Sequence, residues 1–204
     1  MRQIRFGSSV NHVTDRSLLR FPEEVKRQFA FLEALGFRCV RAEPTLVRYE
    51  SPAIGINIHQ GRKSYEIGLE IEPMQMPTES YPFSAILRLV DAKRGESYRN
   101  YAAQTVEGVA EGVRQLAGLL HECTDAGILK DQQLFPRLKL QRGEWSRNYA
   151  LEVELSQARN KLESAWAKKD FQKVVQILSP LEEHLHPAEL KKLEYAKKHC
   201  DRMK

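Results

Sequence analysis

The alternation of apolar and polar residues between residues 54 and 72 constrains the fold more than any other feature of the chain. It consists of two runs, residues 54–59 and 65–72, in which every second residue is Ile, Leu or Tyr. A period of two is typical of a β-strand that buries one face. The linker 60–64 contains Gly61, which we expect to take the unusual backbone angles of a hairpin turn. The two runs therefore predict an antiparallel hairpin with one apolar and one polar face.

Helical and strand-like patterns precede this hairpin. Pro22 opens a predicted helix that ends at Gly36. Glu23 and Glu24 lie in its first turn, where the positive end of the helix dipole stabilises acidic side chains. Its apolar residues recur every three or four positions at Val25, Phe29, Leu32 and Leu35. Strand-like residues follow at Val40, Leu46, Val47 and Tyr49.

Helical patterns dominate the chain after the hairpin. The proline-rich segment 73–82 is expected to leave the sheet, and a short helix is predicted over 83–90, followed by a polar loop over 91–100. A longer helix is predicted over 102–123, which Thr105 caps if the helix begins slightly later. We read its glycines as sites of close packing against the sheet. The predicted fold class is α+β, a three- or four-stranded antiparallel meander covered by helices, with a C-terminal helical extension.

The pattern breaks between residues 127 and 143, which indicates a domain boundary there. We therefore divide the chain into an N-terminal lead-in (1–20), an α+β domain (21–140) and a helical extension (141–204). Within the extension, a helix is predicted over about 145–169.

The helical extension resembles a single tetratricopeptide-type helical pair. The resemblance covers about 40 residues and rests on a Lys-Asp-Phe turn, a second apolar helix and a proline that opens the next helix. These features are Ala165-Trp166, Lys169-Asp170-Phe171, Val174-Val175, Leu178 and His186-Pro187. Val175 stands where that family usually has alanine. The resemblance implies a helical surface that holds another protein.

The whole chain also resembles a loose group of uncharacterised bacterial proteins. The resemblance rests on two segments, Phe31-Leu32…Gly36-Phe37…Val47-Arg48-Tyr49…Ser51 and Lys192-Leu193-Glu194-Tyr195-Ala196-Lys197-Lys198-His199. In architecture and size, such small α+β proteins resemble the immunity proteins that neutralise bacterial toxins. This resemblance implies binding to another protein.

Composition narrows the class of function. No window approaches the roughly 18 apolar residues of a membrane helix, and no secretory signal is recognisable, so a cytoplasmic location without membrane partners is expected. The three cysteines are widely separated, which fits unpaired thiols in a reducing compartment. The net charge of +5 comes from lysines and arginines interleaved with acidic residues, so no basic patch indicates a nucleic-acid partner.

The polar face of the sheet holds the candidate site residues. The residues expected to bind a ligand or partner are Arg48, Asn57, His59, Glu66 and Glu70. Among them, His59 beside Glu66 and Glu70 could act in general acid–base catalysis. Cross-strand pairing on a solvated sheet face explains the same pattern.

A second cluster of residues could bind a metal. His184, His186, His199 and Cys200 are the best such combination, but they lack the paired spacing of zinc signatures. They lie near a turn where exposed polar residues are ordinary, so no metal and no cofactor are expected.

We interpret the sequence as that of a non-catalytic protein-binding module of the bacterial cytoplasm, of which toxin neutralisation is one example. The sequence does not identify the partner or the oligomeric state. Two alternatives remain: a small-molecule enzyme that uses His59, Glu66 and Glu70, and a weak nucleic-acid binder.

Overall fold

The computed structural model describes residues 16–201, with side chains as far as residue 200. The chain divides into two compact units, Met1–Lys139 and Leu140–Lys204. Most of the predicted lead-in (1–20) lies outside the described residues. In the part that is described, Arg16–Leu19 forms a short 3-10 helix and the apolar Leu19 is buried in the core.

A six-stranded sheet lies at the centre of the first unit. Four strands form an antiparallel meander in chain order: β1 (Arg38–Glu43), β2 (Leu46–Glu50), β3 (Ile54–Gln60) and β4 (Glu66–Pro73). Two strands of two residues each, β5 (Tyr81–Pro82) and β6 (Tyr101–Ala102), pair with β4. The predicted α+β class and meander are confirmed. The two short strands were not predicted, because two residues are too few to show a period.

The turn between β3 and β4 differs from the prediction. Tyr65, and not Gly61, takes the left-handed conformation, with a φ angle of 57°. The guanidinium of Arg16 lies 3.6 Å from the centre of the Tyr65 ring, and the backbone amide of Ala103 donates to the Tyr65 carbonyl at 3.1 Å. Arg16 also donates to the carbonyls of Gly61 and Arg62. A left-handed conformation at a residue other than glycine costs of order 1 kcal/mol, and these tertiary contacts offset the cost at Tyr65. The local sequence contains no sign of them.

The helices of the first unit are α1 (Phe21–Gln28), α2 (Phe31–Ala34), α3 (Phe83–Val90), α4 (Ala92–Ser97) and α5 (Val106–Asp125). The predicted N-terminal helix is thus split in two, and the prediction for residues 83–90 is confirmed. The loop predicted over 91–100 was wrong. Asp91 accepts a hydrogen bond from the Arg94 amide at 3.0 Å and so caps α4. Thr105 caps α5 by accepting from the Gly108 amide at 3.1 Å.

The core lies between the inner sheet face and the helices α1, α3 and α5. Alternate residues of the strands point into it, including Val47, Tyr49, Ile56, Ile58, Ile67, Leu69 and Ile71. Each fully buried aliphatic side chain contributes about 1.5–3 kcal/mol. At Gly112, α5 comes so close that an added Cβ would lie 2.8 Å from Ile67 Cδ1, as the packing interpretation predicted. That interpretation was wrong for Gly118, where an added Cβ would meet nothing within 4 Å.

The second unit is helical, and its first helix begins within the first unit, where Leu134 and Leu138 belong to the core. α6 (Leu134–Ala167) starts earlier than predicted, since Pro136 lies in its first turn, where a missing amide hydrogen causes no loss. α7 (Phe171–Leu178), the 3-10 helix Ser179–His184 and α8 (Pro187–Asp201) follow. A small core of Leu162, Ala165, Val174, Leu178, Leu193 and Ala196 joins them, so a C-terminal helical region is confirmed. Of the helices within residues 16–201, none combines the length and the apolar character that a bilayer span requires.

Candidate functional site

The candidate residues lie on the outer face of the sheet, opposite the core. In the strand register, Arg48 is opposite Asn57, and Asn57 is opposite Glu70. His59 is opposite Gly68, while Glu66 begins β4. The structure therefore puts all five predicted residues on one polar face, as the alternation of side chains requires.

One half of this face is a closed ion-pair network centred on Arg48. Its guanidinium donates to Glu72 Oε1 at 2.6 Å, to Glu50 Oε1 at 2.6 Å and to Asn57 Oδ1 at 2.9 Å. Asn57 in turn donates to Glu72 Oε2 at 3.2 Å. The side chain of Glu72 is 8% exposed and that of Arg48 is 19% exposed. The network is therefore a largely desolvated pair that satisfies its own charges.

The pKa of Arg48 reflects this arrangement. Burial lowers the pKa of the guanidinium, but the hydrogen bonds and charges of Glu72 and Glu50 together outweigh burial and raise it. Arg48 stays charged, and its charge is used within the sheet. Asn57 is hydrogen-bonded to both members of the Arg48–Glu72 pair.

Gly55 makes this network possible. A Cβ at this position would lie 2.9 Å from Arg48 Nη2 and 3.1 Å from Glu72 Cγ. The guanidinium thus occupies the space above a residue that has no side chain. Any larger residue at position 55 would push Arg48 away from Glu72.

The other half of the face is a cleft of about 240 Å³. Three of the predicted residues, His59, Glu66 and Glu70, line it together. The remaining wall comes from the segments around α3 and α4, including Pro82, Phe83, Ser84, Tyr98, Arg99 and Asn100. The cleft is smaller than the 300–1,000 Å³ of typical drug-sized sites, so it fits a head group better than a whole cofactor.

Gly68 forms the floor of the cleft. A Cβ there would lie 2.7 Å from His59 Nε2 and 3.4 Å from Asn100 Nδ2. The imidazole and the amide therefore converge over a bare stretch of strand. The His59 ring already occupies the space directly above Gly68, so a larger residue at position 68 would displace it.

The carboxylates of the cleft differ from Glu72 in their charge environment. Within the described residues, neither Glu66 nor Glu70 forms an ion pair. The Ser80 hydroxyl donates to Glu70 Oε2 at 2.6 Å, which holds that side chain in place without neutralising it. Arg99 Nη1 donates to two backbone carbonyls, those of Glu96 at 3.0 Å and Tyr98 at 2.7 Å.

Tyr98 closes one side of the cleft. Its ring meets Phe83 edge-on, with centroids 5.2 Å apart. Burial raises the pKa of the phenol to about 12, so the hydroxyl stays protonated near neutral pH. It can offer a hydrogen bond but no charge.

The structure thus separates the five predicted residues into two groups, Arg48 with Asn57 and His59 with Glu66 and Glu70. Sequence reasoning missed five further residues, Gly55, Gly68, Glu72, Tyr98 and Asn100. Glycine within a strand often marks a close approach of other groups, so Gly55 and Gly68 carried a readable signal. Tyr98 and Asn100 line the cleft only because of the tertiary fold, so no local sequence pattern indicated them.

The histidines of the second unit do not assemble a metal site in the described structure. The His199 ring stacks on Tyr195, with centroids 4.1 Å apart, and also contacts Phe171 at 4.8 Å. The His186 amide donates to Glu189 at 2.9 Å. Across residues 16–200, no three His, Cys, Asp or Glu side chains converge as metal ligands.

A patch of exposed apolar side chains lies on α6. It consists of Trp145, Tyr149 and Val153, which follow one another at four-residue spacing; we call it the aromatic face. Trp145 is 61% exposed and Tyr149 is 60% exposed. Their rings are stacked within 9° of parallel, with centroids 5.6 Å apart. Trp166, in contrast, packs against the small core of the second unit.

Comparisons with known proteins add no further assignment: no family model matches the chain, and neither a curated protein nor a solved structure matches it.

Proposed function

We propose that the protein is a non-catalytic protein-binding module of the bacterial cytoplasm, and that the aromatic face of α6 contacts the partner. The exposure of the stacked Trp145 and Tyr149 carries this proposal. Tryptophan and tyrosine are enriched at interfaces and at binding hot spots. Toxin neutralisation, as in immunity proteins, is one form that this function could take.

The physical argument is that the aromatic face leaves a large apolar area in water. Each aromatic side chain can bury 150–250 Å² in an interface. The stacked pair is also held by its own ring contact, so little side-chain freedom remains to be lost on binding. A partner that covers both rings gains apolar burial at a low entropic cost.

The experiment compares capture of a partner from host lysate by the immobilised wild-type chain and by the variant Trp145→Ala/Tyr149→Ala. Met76→Ala is the matched control, since Met76 is 51% exposed and lies in the first unit. Loss of two hot-spot side chains is expected to weaken binding by at least about 30-fold, which corresponds to 2 kcal/mol. Circular dichroism would check that each variant is folded.

A stoichiometric partner that binds wild-type and Met76→Ala equally, but not the double variant, supports the proposal. A partner that binds all three proteins equally places the interface elsewhere. Failure of the wild-type chain to retain any partner removes the reason to consider this face an interface.

The alternative function, a small-molecule enzyme, has one observation in its favour: His59, Glu66 and Glu70 line the same cleft. Within the described residues, His59 makes no hydrogen bond to either carboxylate, so no acid–base pair is formed in this structure. Catalytic contacts can tighten when substrate binds. Protein binding remains the better supported function, because it requires no rearrangement of these groups.

A further inference from the structure

The aromatic face lies on a part of α6 that is exposed all the way round. Every residue from Glu144 to Ala150 is exposed, whereas Leu138 before this stretch and Leu155 after it are buried. Most helices in proteins are stabilised by the packing of an apolar face rather than by helix propensity alone. A bare stretch of about two turns that carries stacked aromatic rings therefore gains stability when another surface covers it.

Two charged residues flank the aromatic rings on the same side of the helix. Arg142 lies three residues before Trp145, and Glu152 lies three residues after Tyr149. At 3.6 residues per turn, these four side chains fall within about 80° of one another around the helix axis. All four residues are exposed. This side of α6 thus presents a cation, two aromatic rings and an anion in order along the helix.

This order is self-complementary about Arg147. Trp145 and Tyr149 lie two residues to either side of this position, and the two charged residues lie five residues to either side. Two antiparallel copies of α6 that meet at position 147 would therefore place Trp145 opposite Tyr149. They would also place Arg142 opposite Glu152, and a two-fold axis repeats both contacts. A parallel pair of helices would instead place like charges opposite each other.

We propose that the aromatic face binds a second copy of this chain, with the two α6 helices antiparallel and centred on position 147. The inference rests on the proposed function, since it names the partner for the same face. The five N–H donors of a guanidinium allow Arg142 to bind a carboxylate of the second copy in addition to contacts within its own chain. Charge pairs at the edge of an interface mainly set partner and orientation, so the rings supply most of the affinity.

The exposed area of the rings predicts how tightly the two copies bind. Trp145 and Tyr149 are 61% and 60% exposed. Since an aromatic side chain can bury 150–250 Å² in total, the four rings of a dimer can bury about 400–600 Å². A standard stable interface buries about 1,200–2,000 Å², so the rings supply at most about half of the smallest such area. We therefore expect a weak, reversible dimer with a dissociation constant on the order of 10 μM.

The first test is sedimentation velocity of the purified full chain from about 1 to about 100 μM, on either side of the expected dissociation constant. Trp145→Ala/Tyr149→Ala is expected to weaken dimerisation at least about 100-fold, because each dimer loses four rings, and so to stay monomeric over this range. Leu140→Ala is the matched control, since Leu140 is 60% exposed and lies on the opposite side of the same helix. It is expected to dimerise like the wild type. Circular dichroism checks that each variant is folded.

Charge reversal tests the antiparallel register. Glu152→Arg places an arginine opposite Arg142 in both halves of the interface, and Arg142→Glu places two glutamates opposite each other there. Each variant alone is expected to dimerise about fivefold more weakly than the wild type. In an equimolar mixture, with one variant carrying a fluorescent label, every mixed dimer again has two arginine–glutamate contacts. Mixed dimers are therefore expected to form with about the wild-type affinity.

Three results would each overturn the second-copy proposal. They are a wild-type chain that stays monomeric at about 100 μM, a ring variant that dimerises like the wild type, and a mixture of charge variants that binds no more tightly than either variant alone. The lysate experiment separates these failures from a failure of the proposed function. A monomeric chain that captures another protein through the aromatic face overturns only the second-copy proposal, and one that captures nothing overturns both. A dimer that forms through the rings supports both, because the second copy is then the partner.

Discussion

Replacing Arg48 with methionine is expected to destabilise the first unit by about 3 kcal/mol. The substitution keeps the apolar stem but removes the guanidinium that neutralises Glu72. Because the Glu72 side chain is only 8% exposed, its carboxylate would be left largely buried with Asn57 as its remaining partner. Breaking a buried pair by removing one member typically costs 3–5 kcal/mol, and the partial exposure of Arg48 puts the estimate at the lower end of that range.

Removing both members should restore most of the stability. In the double variant Arg48→Met/Glu72→Met, no unpaired buried charge remains, and Glu50 can turn to solvent, since 30% of its side chain is already exposed. Replacement of a buried pair by apolar residues is often neutral. The double variant is therefore expected to lie within about 1 kcal/mol of wild type, with a coupling free energy of about 2 kcal/mol or more.

The neighbouring pair Arg41–Glu43 supplies a matched control. It joins two residues on β1 at 2.7 Å, but the two side chains are 52% and 49% exposed. Arg41→Met should cost no more than about 0.5 kcal/mol, because solvent screens an exposed pair. Both substitutions remove an arginine from an arginine–glutamate pair, but the pair of Arg48 is far more buried than that of Arg41.

The assay is urea denaturation followed by far-ultraviolet circular dichroism, together with hydrogen exchange of the β3 and β4 amides. Both tryptophans, Trp145 and Trp166, lie in the second unit, so their fluorescence reports on the other half of the chain. Equal costs for Arg48→Met and Arg41→Met would refute the reasoning. The outer face would then be solvated throughout, and its division into a closed network and an open cleft would fail.

Three further predictions concern the helices. Burial raises the pKa of the Cys123 thiol to about 11, so alkylation at mildly alkaline pH should be much slower at Cys123 than at the partly exposed Cys39. The hydrogen bond from Arg159 lowers the pKa of Glu189 below its usual 4.5. The ionised Glu189 therefore stabilises the folded state fully above pH 4.5, and this stabilisation is lost as the pH falls through the lower pKa of the folded state. Glu189→Gln should thus make unfolding, followed by tryptophan fluorescence, less sensitive to acid. Asp170→Ala removes the α7 cap, a hydrogen bond of 3.1 Å from the Lys173 amide, and should cost about 1 kcal/mol by the same fluorescence assay.

The elements with a long, regular period could be predicted from the sequence. The alternation in β3 and β4 placed the hairpin and its polar face, and the helix over 83–90 was correct to the residue. Both elements bury one face in the core, and the spacing of their apolar residues directly indicates which face is buried. The class of the fold then follows from how these elements must cover one another.

The elements that depend on tertiary contacts could not be predicted. Each of the strands β5 and β6 has two residues, and they are strands only because β4 lies beside them. The helix α4 lies in a segment of mostly polar residues, where the pattern favoured a loop. Its Gly95 approaches α3 so closely that a Cβ would lie 2.5 Å from the Arg88 backbone, a contact that no local pattern records.

The site lies between these two cases, and its glycines show why. The alternation of apolar residues in β3 and β4 predicts that Gly55 and Gly68 lie on the outer face, but it does not predict what they contact. Glycine is unfavourable within a strand, so its presence requires a compensating contact. At Gly55 that contact is the Arg48 guanidinium, and at Gly68 it is the His59 ring. Two glycines on the polar face therefore mark two places where a side chain crosses the sheet. Arg48 meets Glu72, Glu50 and Asn57 there, whereas the His59 ring lies over Gly68 in the cleft that Glu66 and Glu70 also line.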